Sequence, residues 1–341
     1  MISIIYILPH GGKTSPNCVV KNLINSGATK GDFTQVLLLK HKESVIFDKF
    51  LTPKSFFNLS RFDVFHTHGF LADLIGFILS FFYSSRIVTT LHSVIEEDLK
   101  ERFGFVGYFI AKLWLLILSR HDEIIVLNNL QKQLYSRYFN GKVKVIPNGF
   151  DVCQVNELSP SVFKLENYGK KVILCHGVVR RIKSFDFILD CFLQSDWLSN
   201  NFVFVLVGDG PELDKLKKKY AQLLDEKIFI SVGFKSDALQ YLRLADFFVM
   251  SSFFEGVPIS MFEAVACNIP VLCVNEPSFH GLFSESEVFY FSRTTDSFVS
   301  LLKKLLILPE VELEHQTKRA FISLQNNFSL EVQYEKYRRV Y

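Results

Sequence analysis

The sequence has 341 residues, 49% of them hydrophobic and 21% charged, with a formal net charge of +3. That length predicts two domains, each able to bury a core without staples or structural metals. The composition excludes a disordered chain, and the lack of any Lys/Arg stripe with interleaved aromatics argues against a nucleic-acid partner.

Along the first half, short β-branched runs alternate with longer helical stretches. Residues 2–8, 36–39, 64–66, 87–90, 124–127 and 143–146 read as strands, and residues 107–118 and 129–138 as helices. The N-terminus has no charged leader or small-residue cleavage site, so its first run reads as a strand and not a signal peptide. Residues 8–14, Leu-Pro-His-Gly-Gly-Lys-Thr, fail as a phosphate-binding P-loop because Ile7 stands where the first glycine is required.

Two stretches of this half, 74–83 and 103–118, are very apolar, yet shorter than the roughly 18–20 residues of a membrane-spanning helix. They read as buried or interfacial helices. Residues 1–150 hold 17 basic against 11 acidic residues, a net of +6, whereas the remainder is acidic. A basic half with apolar stretches suits a peripheral enzyme working on a lipid-linked glycan at a membrane surface. The 36 phenylalanines read mainly as core.

A polar stretch at 156–169 marks the boundary, giving domains of 1–160 and 161–328 with a last helix at 329–341. The second domain repeats the alternation. Strands are expected at 171–176, 202–207, 228–231, 247–250 and 271–274, and helices at 184–193, 211–224, 237–244, 258–266 and 298–306. Two such runs imply an α/β protein with two Rossmann-like domains, in which ligands bind beyond the carboxyl ends of the strands. The six cysteines form no C-x-x-C pair and no zinc spacing, so they read as small buried apolar groups in a reducing, cytoplasmic compartment.

The loops after the strands hold the informative residues. After the strand at 247–250 comes Ser251-Ser252-Phe253-Phe254-Glu255-Gly256-Val257-Pro258-Ile259-Ser260-Met261-Phe262-Glu263-Ala264. A glycine turn feeding a helix that opens at a proline offers free N–H groups and a positive dipole end to a diphosphate. Glu263, one turn in, is placed to accept from ribose hydroxyls, and Glu255 precedes the turn. Alone, the segment is equally well an ordinary strand–loop–helix connection. After the strand at 171–176, His176-Gly177-Val178-Val179-Arg180-Arg181-Ile182-Lys183-Ser184 puts three cations within a few residues. They suit a departing diphosphate, or form a solvated charge run. Gly208-Asp209-Gly210-Pro211-Glu212, Phe65-His66-Thr67-His68-Gly69, Thr89-Thr90-Leu91-His92-Ser93 and Ile146-Pro147-Asn148-Gly149-Phe150-Asp151 also end strands.

The segment 255–263 resembles the E-x(7)-E signature of family-4 retaining glycosyltransferases, with Glu255 and Glu263 in its two acidic positions. The 176–184 loop is similar to that family's G-R-L-x-x-x-K-G loop, placing Lys183 on its lysine. It departs at Val178, where the family has an arginine, so Arg180 or Arg181 is left to reach that phosphate. The weaker segments follow in the family's order, from Ile4 to about Pro270.

The resemblance implies the GT-B fold, with two Rossmann-like domains facing a central cleft and a C-terminal helix returning to the first domain. It implies a donor bound as a UDP-, GDP- or ADP-sugar by Gly11, Gly12, Arg180, Arg181, Lys183, Gly256, Val257, Pro258, Ile259 and Glu263. Catalytic roles fall to His92, Glu255 and Lys183, with His68 a weaker candidate. The acceptor is a glycan or lipid-linked glycan, as in cell-surface polysaccharide or lipopolysaccharide synthesis. No cofactor or metal is implied, in keeping with the lack of D-x-D. Two other readings stand beside this one: a catalytically silent GT-B scaffold that binds nucleotide or glycan, and another GT-B enzyme such as a nucleotide-sugar epimerase.

Overall fold

Two six-stranded parallel sheets organise the protein. Its computed structural model describes residues 1–12, 14–40, 46–47, 50–51, 59–156, 169–235 and 237–341. Lys13, Ser236 and most of the expected boundary at 156–169 lie outside the described residues.

The first unit comprises Met1–Gly149 and Phe328–Tyr341. Its strands are β1 (Ser3–His10), β2 (Phe33–Lys40), β3 (Val64–Thr67), β4 (Arg86–Leu91), β5 (Glu123–Val126) and β6 (Val143–Val145), in the order β2-β1-β3-β4-β5-β6. A parallel sheet covered on both faces needs continuous apolar strands, which is why Ile4-Ile5-Tyr6-Ile7-Leu8 is buried throughout. Alternate residues serve opposite faces. Ile4, Tyr6 and Leu8 pack with Val20, Leu23, Tyr334 and Tyr337, and Ile5 and Ile7 with Phe65, Ala72 and Leu79.

The expected return of the chain to this unit is observed. The helix Leu330–Arg338 opens at Ser329, whose hydroxyl accepts from Val332 N. Its Tyr334 hydroxyl donates to Asp32 Oδ2 at 2.9 Å, and Arg338 Nε lies 3.1 Å from the same oxygen. Asp32 Oδ1 in turn accepts from Ile2 N, so one carboxylate ties the helix to the start of β1.

The two apolar stretches form the helices Phe70–Leu79 and Phe105–Leu118. They meet where Trp114 Nε1 donates to Asp73 Oδ2 at 2.7 Å and Phe70 stands edge-on to Trp114. The second is buried on one side only: Gly107, Ala111, Leu115, Ile117 and Leu118 are buried, with Ile110 and Trp114 partly so, because the helix is apolar all round and the unit covers one side of it.

The second unit is Phe150–Asn327. Its strands are β7 (Lys171–His176), β8 (Phe202–Val207), β9 (Phe229–Gly233), β10 (Phe247–Met250), β11 (Val271–Val274) and β12 (Phe289–Phe291), in the order β12-β11-β10-β7-β8-β9. The division falls at Gly149/Phe150 and not at residue 160. Phe150 is already committed to the second unit, its ring set edge-on to Phe262 at 6.3 Å.

Both sheets are built outward from a central strand. The chain turns to the other side of β1 when it places β3, and to the other side of β7 when it places β10. At such a reversal the two flanking loops splay apart and leave a crevice at the carboxyl ends of the strands.

Candidate functional site

In the second unit, β7 and β10 run side by side with Phe248 opposite Leu174, so the loops starting at Gly177 and Ser251 leave the sheet as neighbours. They are stitched together. Phe253 N donates to Ile182 O at 2.9 Å, and Ser251 Oγ donates to Lys183 O at 2.9 Å. The turn Arg181–Lys183 then presents Lys183, whose Nζ donates to Glu255 Oε1 at 2.6 Å. Ser252 Oγ donates to the same oxygen at 2.6 Å. The structure therefore brings two of the sequence candidates, Lys183 and Glu255, into one half-buried ion pair.

Glu263 lies on the helix Ile259–Ala266, which begins after Pro258 and has no side-chain cap. The first-turn N–H groups of such a helix have no carbonyl within it to bond, and its dipole favours an anion there. Gly256, Val257, Pro258 and Ile259 form that entry. Glu263 Oε2 stands 2.8 Å from His176 Nε2, off hydrogen-bond geometry, so that the imidazole nitrogen has no hydrogen-bond partner among the described residues. Arg180 is half-buried, whereas Arg181 and Val178 are exposed.

The Gly208-Asp209-Gly210 turn after β8 is a support for this loop. Val179 N donates to Asp209 O, and a Cβ on Gly208 would overlap the Gly177 carbonyl oxygen. Glycine is needed there for close backbone approach.

Arg293 has no place in the sequence reading, yet it holds three loops at once. Its guanidinium donates to Ser251 O at 2.9 Å, Ser252 O at 3.1 Å, Ser184 Oγ at 3.0 Å and Glu276 Oε1 at 3.1 Å, and stacks 4.0 Å from the Phe253 ring centroid. Ser278 Oγ adds an acceptor for Glu255 N at 3.3 Å. No local motif betrays Arg293, because its partners are between 17 and 109 residues away.

The first unit carries the remaining candidates at its own reversal point. Gly11 and Gly12 follow β1, where Gly12 N donates to His10 Nδ1 and Asn17 Nδ2 donates to both His10 O and Gly12 O at 2.8 Å. His68 follows β3 and His92 follows β4; His68 Nδ1 and His92 Nε2 are 2.9 Å apart. Behind them, His66 Nδ1 meets the Tyr341 hydroxyl at 2.8 Å and His66 Nε2 meets Thr90 Oγ1 at 2.8 Å, with Tyr337 on the same hydroxyl. Burial pushes the His66 imidazole down to about 3 and that of His92 to about 4. Burial, then the two neighbouring imidazoles, holds His68 well below the ordinary value. All three are neutral at pH 7, and His92 Nδ1 and His68 Nε2 have no hydrogen-bond partner among the described residues.

Two Rossmann-like units, each a parallel sheet, the second with an anion-suited helix entry and a Lys183–Glu255 pair after its strands, define a GT-B architecture. The chain belongs to the family-4 glycosyltransferases: residues 161–321 match the family described as "Glycosyl transferases group 1" and residues 35–154 match "Glycosyltransferase Family 4". It is 22% identical to the O-antigen biosynthesis glycosyltransferase WclY of Escherichia coli, over all of this chain and 98% of the relative. It is also 25% identical to the Escherichia coli UDP-Gal:alpha-D-GlcNAc-diphosphoundecaprenol alpha-1,3-galactosyltransferase, over 82% of this chain and 75% of that one. In structure it is similar to Anabaena HepE crystallised with UDP, with a TM-score of 0.80, 16% identity and 99% of both chains covered. The lipopolysaccharide-biosynthesis glycosyltransferase WaaG gives a TM-score of 0.70 at 12% identity, again over 99% of both chains.

Proposed function

We propose that this protein transfers a sugar, with retention of anomeric configuration and without a metal ion, from a nucleotide-diphosphate donor to a glycan or lipid-linked glycan. The observation that carries the reading is the Lys183–Glu255 pair set beside the uncapped entry of the helix bearing Glu263. One Lys183 N–H donates to Glu255, which leaves two N–H donors of the ammonium for phosphate oxygens. Together with Arg180 or Arg181 and the helix N–H groups, they stabilise the diphosphate as the anomeric C–O bond breaks. The acceptor oxygen bonds the anomeric carbon on the face the phosphate leaves, and a phosphate oxygen takes the acceptor proton. Glu263 holds the ribose hydroxyls, and neutral His92 bonds the transferred sugar.

UDP is the first nucleotide to try, because the HepE crystals hold UDP and the galactosyltransferase relative is named for UDP-Gal. The relatives named for O-antigen and lipopolysaccharide synthesis support an acceptor of that kind, met at the cytoplasmic face of the membrane.

Calorimetric titration of UDP, GDP and ADP into the wild type and Glu263→Ala tests the donor site. One nucleotide is expected to bind, at least tenfold more weakly (about 1.4 kcal/mol) in the variant. A folded protein that binds none of the three would instead be the silent scaffold. Retention is read from the product's anomeric proton coupling, and an inverted product overturns it. Excess EDTA is expected to leave the rate unchanged; a loss restored by Mg²⁺ would show a metal requirement.

A further inference from the structure

His176 is the last residue of β7 and stands against the helix that bears Glu263. Its ring is set edge-on to Phe248 of β10 at 5.7 Å, and the next residue is tied to β8, where Gly177 N donates to Val207 O at 3.0 Å. The imidazole is therefore held in place from both neighbouring strands. Only 10% of the His176 side chain and 18% of the Glu263 side chain are exposed. Glu263 is the one charged residue of a helix that buries Met261, Phe262, Ala264 and Val265.

Among the described residues no hydrogen bond reaches the Glu263 carboxylate, and His176 is the one basic side chain paired with it, Nε2 lying 2.8 Å from Oε2. That nitrogen is itself buried and without a hydrogen-bond partner. A mostly buried carboxylate left without donors is costly, and each of its oxygens has two lone pairs to satisfy. At this distance a turn about the last torsion of Glu263, which is a soft one, is enough to make an Nε2–H···Oε2 bond. Oε1 and the second lone pair of Oε2 are then left for donors that a ligand brings, and two vicinal hydroxyls fit them.

We propose that His176 is a positioning residue that holds Glu263 in one orientation and so makes the site select ribonucleotides over 2′-deoxyribonucleotides. The inference rests on the reading of Glu263 as the ribose-binding residue and adds its partner and the consequence for specificity. A carboxylate fixed at Oε2 by an imidazole does not follow a single hydroxyl. When the 2′-hydroxyl is missing, one lone pair stays buried and unpaired, and a site built to bond a hydroxyl rejects the analogue that lacks it. A glutamate free about its three side-chain torsions swings instead onto the 3′-hydroxyl or onto water, and discriminates little. Because the chain runs from His176 directly into the loop that presents Lys183, the ribose clamp and the diphosphate clamp share one strand end.

The test is calorimetric titration of whichever diphosphate binds among UDP, GDP and ADP, and of its 2′-deoxy counterpart, into the full chain. The wild type is expected to prefer the ribonucleotide by about tenfold or more. His176→Leu keeps most of the volume and removes both ring nitrogens. It is expected to weaken the ribonucleotide by about fivefold and to leave the 2′-deoxy compound within about twofold, so that most of the preference is lost. Should His176→Leu not fold, His176→Phe, which keeps a ring against Phe248, carries the same expectation. His176→Gln, whose amide can donate in place of Nε2–H, is expected to retain most of the preference. In a Glu263→Gln background His176→Leu is expected to cost nothing further, since the histidine acts through the carboxylate. A wild type that binds both compounds alike, or a His176→Leu that keeps the preference or weakens both compounds equally, overturns the inference and leaves the donor site standing. A wild type that binds none of the three diphosphates overturns the inference together with the reading beneath it.

Discussion

Ser184 holds a left-handed backbone, with φ 50° and ψ 44°, that a residue with a Cβ adopts at a cost of about 1–2 kcal/mol. The family's loop has glycine at this position, and here the conformation is secured by the hydrogen bond from Arg293 to the Ser184 hydroxyl. Two substitutions separate strain from bonding. Ser184→Gly relieves the backbone and loses the bond, so its unfolding free energy in urea titration is expected within about 1 kcal/mol of wild type. Ser184→Ala keeps the strain and loses the bond, and is expected to be less stable by about 1–3 kcal/mol. Arg293→Lys removes a planar fork that a lysine's point charge cannot replace. The loops carrying Glu255 and Lys183 should then loosen, and nucleotide affinity should fall about tenfold, or about 1.4 kcal/mol, in the calorimeter. Unaltered affinity would mean the loops hold themselves. Glu255, Glu263 and Lys183 were legible because their chemistry lies in short contiguous segments that resemble a known signature. Arg293 was not, since its contacts are made only once β12 has been laid beside β11.

At the scale of elements, ten of the twelve strands are legible in the sequence over more than half of their length as runs rich in Val, Ile, Leu or Phe, because both faces of each sheet are covered. The strand Phe33–Lys40 was seen only in its buried centre, since its outer residues are wetter. The strand Phe289–Phe291 escaped notice because three residues at a sheet edge carry too little pattern. The helix Glu310–Phe328 escaped for another reason. Its inward stripe is Gln316, Thr317, Ala320, Leu324 and Phe328, so half of what it buries is polar or small.

The carboxyl ends of β3 and β4 also make a prediction about pH. His66 and His68 are buried and neutral, with affinities for protons depressed below the ordinary value near 6.5. The unfolded chain therefore binds their protons first, so stability is complete above about pH 6.5 and falls as the pH drops below it. Each imidazole should cost about 1–2 kcal/mol of stability at pH 5. Thermal midpoints measured from pH 7 to pH 5 are expected to fall, and to fall less steeply in His68→Gln. A flat profile in the wild type would show that these rings are solvated.

The molecule as a whole has one contiguous unit and one that is assembled from both ends of the sequence. Tyr334 and Tyr337 are fully buried against β1 and its neighbours, so the last fourteen residues contribute core and not merely a tail. Deleting residues 328–341 removes several large buried side chains at about 3–5 kcal/mol each, which approaches the whole stability of a domain. The expected result is a first unit digested rapidly by protease at 25 °C and a second unit that survives and still binds nucleotide. Persistence of a protected first unit would show the helix to be dispensable.

Biosynthesis meets the same discontinuity. The ribosome releases β1 early, but the tyrosines that close its core emerge roughly 325 residues later, a delay of roughly 16–65 s at about 5–20 residues per second. The unit translated second is thus the one able to finish folding first. Through that interval the open N-terminal sheet depends on chaperones or a surface to shield it. A premature stop codon anywhere between Phe328 and Tyr337 would destroy the part of the protein that was made first.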